Sequence, residues 1–110
     1  MIQDTLSRIE KMIKNSIHIT DENKKVYLNL LKTLDDEIAE LSKTKEEQAK
    51  SITGFAKVST HEAIREEKDP ELMEISLEGL SSSVKGFEVS HPKLVSIVNS
   101  ICDFLAKLGI

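Results

Sequence analysis

Along most of the chain, apolar residues recur every three or four positions, the spacing of one face of an α-helix. The most regular stretch lies near the end, where five apolar residues step by four, three, four and three: Leu94, Val98, Ile101, Leu105 and Leu108. Ser90 is a favourable N-cap, Pro92 suits the first helical turn, and Gly109 suits a left-handed end. Val89 can pack on Leu94 as a hydrophobic staple. The pattern predicts a complete capped helix with one apolar seam.

Two helices are predicted in the first forty residues. The first runs from about Asp4, its expected cap, to Ser16, and its apolar positions keep helical spacing: Leu6, Ile9, Met12 or Ile13, and Ile17. Thr20 or Asp21 can cap the second helix, whose first turn is acidic as the helix dipole prefers. Its apolar face consists of Tyr27, Leu30 or Leu31, Leu34, Ile38 and Leu41.

The middle of the chain is less regular. Residues 42–50 are almost entirely polar and are compatible either with an extension of helix two or with a connector. A weak helical stripe follows despite Gly54, consisting of Ile52, Phe55, Ala56, Ser59 and Ala63. Asp69 as N-cap before Pro70 then starts a fourth helix, which is predicted to run towards Lys85 and to stop at Gly86. One buried face is expected from Leu72, Ile75 or Met73, Leu80 and Val84.

Length and composition fit this helical reading. The chain has 110 residues, 39% hydrophobic and 31% charged but only 4% aromatic, a composition typical of one helix-rich domain. We therefore predict a single all-α domain over residues 1–110, a bundle of four to five helices with short connections. The last helix is expected at the centre of the bundle or at a dimer interface.

Charge and targeting signals narrow the class of protein. The formal net charge of −4 argues against nucleic acid as a partner, because such binding needs a basic surface. The start of the chain lacks the basic and apolar regions of a signal peptide, and no apolar run is long enough to span a bilayer. The sequence thus predicts a soluble cytoplasmic protein without membrane contact. Cys102 is the single cysteine, and a buried inert thiol is the expected reading.

The closing segment carries a resemblance to a known family. With Phe87-Glu88-Val89-Ser90-His91-Pro92 and the final Leu108-Gly109-Ile110, the chain resembles the uncharacterised bacterial domain-of-unknown-function family four-four-zero-four of small helical proteins. The likeness covers residues 80–110 closely and residues 3–41 in helical layout. Residues 42–68 depart from the family pattern and are a candidate insertion. The resemblance implies a natural, packed end at Ile110, but no activity.

No constellation of residues predicts catalysis. His61-Glu62 resembles the start of a zinc-protease helix, but Arg65 stands where that motif needs its second histidine. The acids around His61 fit a solvated helix face better than a cation site, and His91 fits a local role at the start of the last helix. We therefore predict no catalytic residue, no metal ligand and no cofactor, and interpret the protein as non-enzymatic.

The best functional indication is the width of the apolar face on the last helix, to which Ile97 and Phe104 add a flank. A helix apolar over so much of its circumference needs several neighbours, which self-association would supply. The sequence therefore favours a homodimer assembled through the seam, although a monomeric bundle around this helix fits the same pattern. The predicted function is a protein–protein interaction or oligomerisation module. The alternative is a small ligand- or metal-responsive regulatory module that uses His61 or His91.

Overall fold

Five α-helices joined by short connections make up residues 2–109, which are the residues described by this computed structural model. The helices are α1 Ile2–Asn15, α2 Asp21–Ser42, α3 Glu46–Ile64, α4 Pro70–Ser83 and α5 Pro92–Leu108. The predicted all-α bundle of four to five helices is therefore confirmed. Residues 1 and 110 lie outside the described range, and so does the expected packing of Ile110.

The helices form two layers. In one layer α3 lies between α1 and α4, and in the other α2 packs beside α5. The connections of three to eight residues make successive helices antiparallel. A hydrogen bond between Gln3 Nε2 in α1 and Asp35 Oδ1 in α2, 2.9 Å long, joins the start of one helix to the later part of the next. This arrangement leaves the outer sides of α1, α3 and α4 facing solvent.

The central helix is α3, which contacts all four other helices, whereas α5 contacts three. The side of α3 that faces the core is built largely from small residues, which the structure buries: Ala49, Thr53, Ala56, Ser59, Thr60 and Ala63. Small side chains let neighbouring helices approach closely, so α3 can serve as the common contact of the bundle. The apolar stripe of this segment is weak in the sequence because its buried side consists largely of small residues, which suit its central position.

The polar stretch 42–50 is divided between two elements. Helix α2 ends at Ser42, residues 43–45 make the turn, and α3 begins at Glu46. The turn is closed by Lys45, whose backbone N–H donates to the carbonyl of Leu41 at 2.9 Å. The third helix therefore begins six residues before Ile52, where its apolar stripe begins.

Two predicted helix caps are confirmed. The Oγ1 atom of Thr20 accepts a hydrogen bond from the backbone N–H of Asn23 at 3.1 Å and so caps α2. At the start of α4, Oδ1 of Asp69 accepts from the N–H of Leu72 at 3.1 Å, with Pro70 as the first helical residue. Each side chain satisfies a backbone donor that has no partner within its helix.

The predicted start of α5 is partly wrong. The N-cap is His91, one residue after the expected Ser90, and it makes no side-chain capping bond. The Ser90 hydroxyl bonds instead to the His91 ring nitrogen Nδ1 at 2.9 Å. Val89 forms no staple, since 95% of it is exposed, and Phe87 is buried in its place. The N–H of His91 donates to the Phe87 carbonyl at 2.8 Å, and this turn places Phe87 in the core.

Three other local predictions at helix ends fail. Gly109 has a φ of −79°, an ordinary helical value, whereas Gly86 after α4 has a φ of 97° in the left-handed region. Asp4 lies inside the first turn of α1, which already begins at Ile2. Ile17 is 89% exposed because α1 ends before it, and Ile19 is buried instead.

Candidate interaction surface

The apolar seam of α5 lies inside the chain. Leu94, Val98, Ile101 and Leu105 have no exposed surface, and Leu108 is half-buried. Because α5 packs against α2, α3 and α4, its wide apolar face is covered within one copy. Contact between two folded copies therefore requires residues other than the fully buried part of this seam.

Helices α3 and α4 approach each other closely through small residues. The Ser59 hydroxyl of α3 donates to the backbone carbonyl of Ser76 in α4 at 3.0 Å, and both residues are buried. About one turn away along the same contact, the ring of Phe55 lies over Gly79, where any Cβ would overlap the ring carbons Cε1 and Cδ1. These two contacts fix the helices as an antiparallel pair with a narrow gap.

This close approach changes which face of α4 is buried. The sequence predicted a buried Leu72, with Ile75 as one of two options beside it, but Leu72 is 45% exposed and Ile75 is 60% exposed. Leu80 and Val84 are buried as predicted, and Ser76 is buried beside Leu80 in place of Leu72 and Ile75. The small Ser76 and Gly79 bring α3 against this side of α4, and the remaining apolar residues stay at the surface.

On the adjoining side of α3, two more apolar side chains reach solvent. Phe55 is 41% exposed and Val58 is 50% exposed. We call the four residues Phe55, Val58, Leu72 and Ile75 the α3–α4 face. Within each helix the two residues are three positions apart and so lie on one side. Val58 and Ile75 each directly precede one partner of the Ser59–Ser76 hydrogen bond, so they lie at the same level along the bundle.

The sequence analysis missed this face. It assigned Phe55 and Leu72 to buried stripes and gave Val58 no role. One signal was available, because α3 and α4 each carry more apolar positions than one buried face uses, but helical spacing alone does not identify the surplus.

Charged residues border the face differently on its two sides. Glu71, Glu74 and Glu78 are exposed along α4, which contains no lysine or arginine. On α3, Lys57 and His61 border Val58, and with Met12 of α1 these residues line one shallow hollow. The α4 side is therefore acidic, whereas Lys57 gives the α3 side a positive charge.

A buried carboxylate lies near one end of the α3–α4 contact. Glu62 is only 7% exposed, and its Oε1 accepts a hydrogen bond from Arg65 Nη1 at 2.8 Å. This bond raises the pKa of the Arg65 guanidinium, which is charged in any case. The ring nitrogen Nε2 of His61 lies 4.0 Å from Glu62 Oε2. Glu62 is thus held in a local ion pair.

The other candidate groups do not converge. His18 is exposed in the α1–α2 connection, and the ring of His91 packs edge-on against Phe87. The carboxylate of Glu88, three residues before His91, accepts from the backbone N–H of Gly86 at 2.9 Å. Within residues 2–109, no three His, Cys, Asp or Glu side chains lie close enough to hold a metal ion.

Cys102 and Tyr27 lie deeper in the bundle. Burial, together with the nearby Asp103, raises the pKa of the half-buried Cys102 thiol to about 11, which keeps it protonated at neutral pH. Tyr27 is fully buried, its ring is stacked on Phe104 at 5.3 Å, and desolvation raises the pKa of its hydroxyl. The Tyr27 hydroxyl lies 2.6 Å from Thr60 Oγ1, so α2 and α3 share a buried polar contact.

Fold and surface together define a small all-α bundle protein with an apolar outer face on one helix pair. None of the helices within residues 2–109 is long and apolar enough to cross a membrane. A family model described as Domain of unknown function (DUF4404) matches residues 27–110. The chain belongs to this family, and the matched range begins within α2 and includes all of α3, α4 and α5.

A search of the curated proteins found no match, and neither did a search of the solved structures.

Proposed function

We propose that this protein acts through protein–protein contact, as a self-associating module of the bacterial cytoplasm, and not as an enzyme. One observation carries the proposal: the partial exposure of four large apolar side chains on the α3–α4 face. Monomeric soluble proteins rarely expose contiguous apolar patches larger than a few hundred Å², and the largest patch on a protein often marks a binding site. The seam of α5, from Leu94 to Leu108, is the core that supports this face from behind.

The environment of the reactive groups supports a non-enzymatic role. An acid–base or nucleophilic site needs a reactive side chain beside a partner that activates it. Here the Cys102 thiol has a raised pKa, and the hydrogen-bonded Ser90 and His91 lie in the turn before α5, with Ser90 exposed and the His91 ring packed against Phe87. His18 and His61 lie at different places on the surface.

The test is the solution mass by light scattering over about a hundredfold range of protein concentration. Self-association predicts a mass that rises with concentration towards twice the 12.3 kDa of one chain, or a mass of twice that value at every concentration. A mass of 12.3 kDa at every concentration would contradict the proposal.

A further inference from the structure

We infer that the α3–α4 face binds a second copy of this chain in a crossed arrangement, with α3 of each copy against α4 of the other. This inference rests on the proposed function and specifies the surface and the orientation that it uses. The face provides an apolar centre, Phe55 and Val58 on one helix and Leu72 and Ile75 on the next. A self-complementary interface of this kind is what a two-fold dimer requires.

Charge complementarity selects the second copy as the occupant. The apolar centre has an acidic border on α4, with Glu71, Glu74 and Glu78 at intervals of three and four. The border on α3 carries the positive charge of Lys57, with His61 one turn further on, whereas Lys50 on the same side pairs with Glu46 at 3.5 Å. The spacings place these residues along one side of their helix. A face with an acidic border on one helix and a lysine on the opposite border is complementary to a copy of itself when the two borders exchange partners.

The same charges determine the orientation. If the two-fold axis ran across the helices, α3 would meet α3 and α4 would meet α4, which would bring like charges together. An axis parallel to the helices places α3 against α4 of the other copy. Within one copy, Phe55 lies level with Gly79 and Ser59 lies level with Ser76, so Lys57 is level with Glu78. Rotation about an axis parallel to the helices keeps these levels, and Lys57 therefore lies near Glu78 of the second copy. Val58 and Ile75 meet at the centre.

The available surface is sufficient. A standard interface takes about 800 Å² from each partner, roughly an eighth of the 6679 Å² that the chain exposes. Two adjacent helices of 19 and 14 residues present a projected face of roughly 400–500 Å², and the relief of their side chains and charged borders adds accessible area to it. Anionic membranes and nucleic acids are less suitable occupants, because the acidic border of α4 would repel them.

A first pair of variants tests the location of the face. Ile75→Glu should weaken dimerisation at least about a hundredfold, measured by sedimentation equilibrium, because it places a charge at the apolar centre. The control is Val26→Glu in α2, a similarly exposed apolar residue that lies in the other layer and should leave the dimer unchanged. Circular dichroism checks that both variants keep their helices. If Ile75→Glu remains as dimeric as the control, self-association stands but this face is wrong.

Charge reversal tests the orientation. Lys57→Glu alone sets two acids against each other across the crossed interface, and Glu78→Lys alone sets two bases against each other. Each should weaken dimerisation about tenfold, while the double variant should return to within about threefold of the original chain. An interface of α3 on α3 predicts no such restoration, so independent or unchanged effects would overturn the crossed arrangement.

Cross-linking gives a second readout of the orientation in a Cys102→Ser background. A mixture of the Val58→Cys and Ile75→Cys chains should form a disulfide-linked dimer on mild oxidation, whereas either chain alone should not. Cross-linking of Val58→Cys with itself would overturn the crossed arrangement.

A chain that stays monomeric would overturn both this inference and the proposed function. Co-sedimentation of that monomer with phosphatidylserine vesicles would assign the face to a membrane surface.

Discussion

The ring of Phe55 in α3 occupies the space in which a side chain at position 79 of α4 would lie. Gly79→Ala should therefore destabilise the protein by about 1 kcal/mol or more, because the added methyl group forces the ring aside and outweighs the gain in helix propensity. The free energy of unfolding from urea titration measures this change.

Gly54 is the matched control, since it lies within α3 and a Cβ there would meet nothing within 4 Å. Gly54→Ala should stabilise the protein by roughly 0.5–1 kcal/mol through helix propensity alone. In a Phe55→Ala background, Gly79→Ala should become stabilising as well. A Gly79→Ala chain as stable as Gly54→Ala would disprove the close approach of Phe55.

The buried pair Tyr27 and Thr60 should respond unequally to removal of either hydroxyl. Thr60 Oγ1 donates its single proton to the carbonyl of Ala56 at 2.7 Å, so the Tyr27 hydroxyl must donate to Thr60. Thr60→Val leaves the Tyr27 hydroxyl buried without a partner and should cost about 1–3 kcal/mol.

Tyr27→Phe removes the donor and leaves Thr60 still bonded to Ala56, so its cost should be smaller, about 1 kcal/mol. Urea titration of the two variants gives the order. A larger loss for Tyr27→Phe would contradict the assigned direction of the hydrogen bond.

The two helices that begin with proline, α4 and α5, should differ in their sensitivity to alanine substitution of the residue at or near the N-cap. Asp69 caps α4 through its side chain, so Asp69→Ala should cost about 1 kcal/mol of stability. Ser90 makes no capping bond to α5, and Ser90→Ala should change stability by no more than about 0.5 kcal/mol. Thermal unfolding in parallel compares them, and an equal loss in both would restore Ser90 as the cap.

The Cys102 thiol should react slowly with an alkylating reagent. With a pKa of about 11 in place of the ordinary 9.0, it carries about a hundredfold less thiolate near pH 8. Alkylation followed by mass spectrometry should therefore be about a hundredfold slower in the folded chain than in guanidinium, and equal rates would contradict the burial.

Stability should also depend on pH through this group. The folded chain holds the thiol proton more tightly than the unfolded chain, so the free energy of unfolding should fall as the pH rises from 9.0 towards about 11. Cys102→Ser should remove this part of the loss, while the part due to the buried Tyr27 hydroxyl, which has the same sign, should remain.

The sequence predicted helices well where apolar residues at helical spacing define one continuous face. On α2 the predicted face, with Leu31 as the buried option, is buried throughout, including Tyr27, Leu34 and Ile38, although Val26 beside it stays exposed. The caps Thr20 and Asp69 were also predictable, because capping is a contact within one turn of chain. Ser90 had the same local chemistry as Asp69, but Phe87 is buried by the turn before α5, and the N-cap is His91.

The α3–α4 face could not be predicted from the spacing of apolar residues alone. On α4, Met73 and Leu77 on one side and Leu72 and Ile75 on the other fit helical spacing equally well. Which side is buried depends on where α3 lies, and that depends on two small residues, Ser76 and Gly79, that carry no apolar signal. The α5 seam was correctly identified as an apolar packing surface, but spacing does not reveal whether its partners come from the same chain.

Because α3 contacts all four other helices, local unfolding of any one of them exposes part of the buried surface of α3. Helices α1 and α4 lie on opposite sides of α3, and both pack against it. Loss of either one removes support from the helix that holds the other. Because every other helix packs against α3, we expect the bundle to unfold cooperatively, and the small buried residues of α3 couple the helices at its two edges.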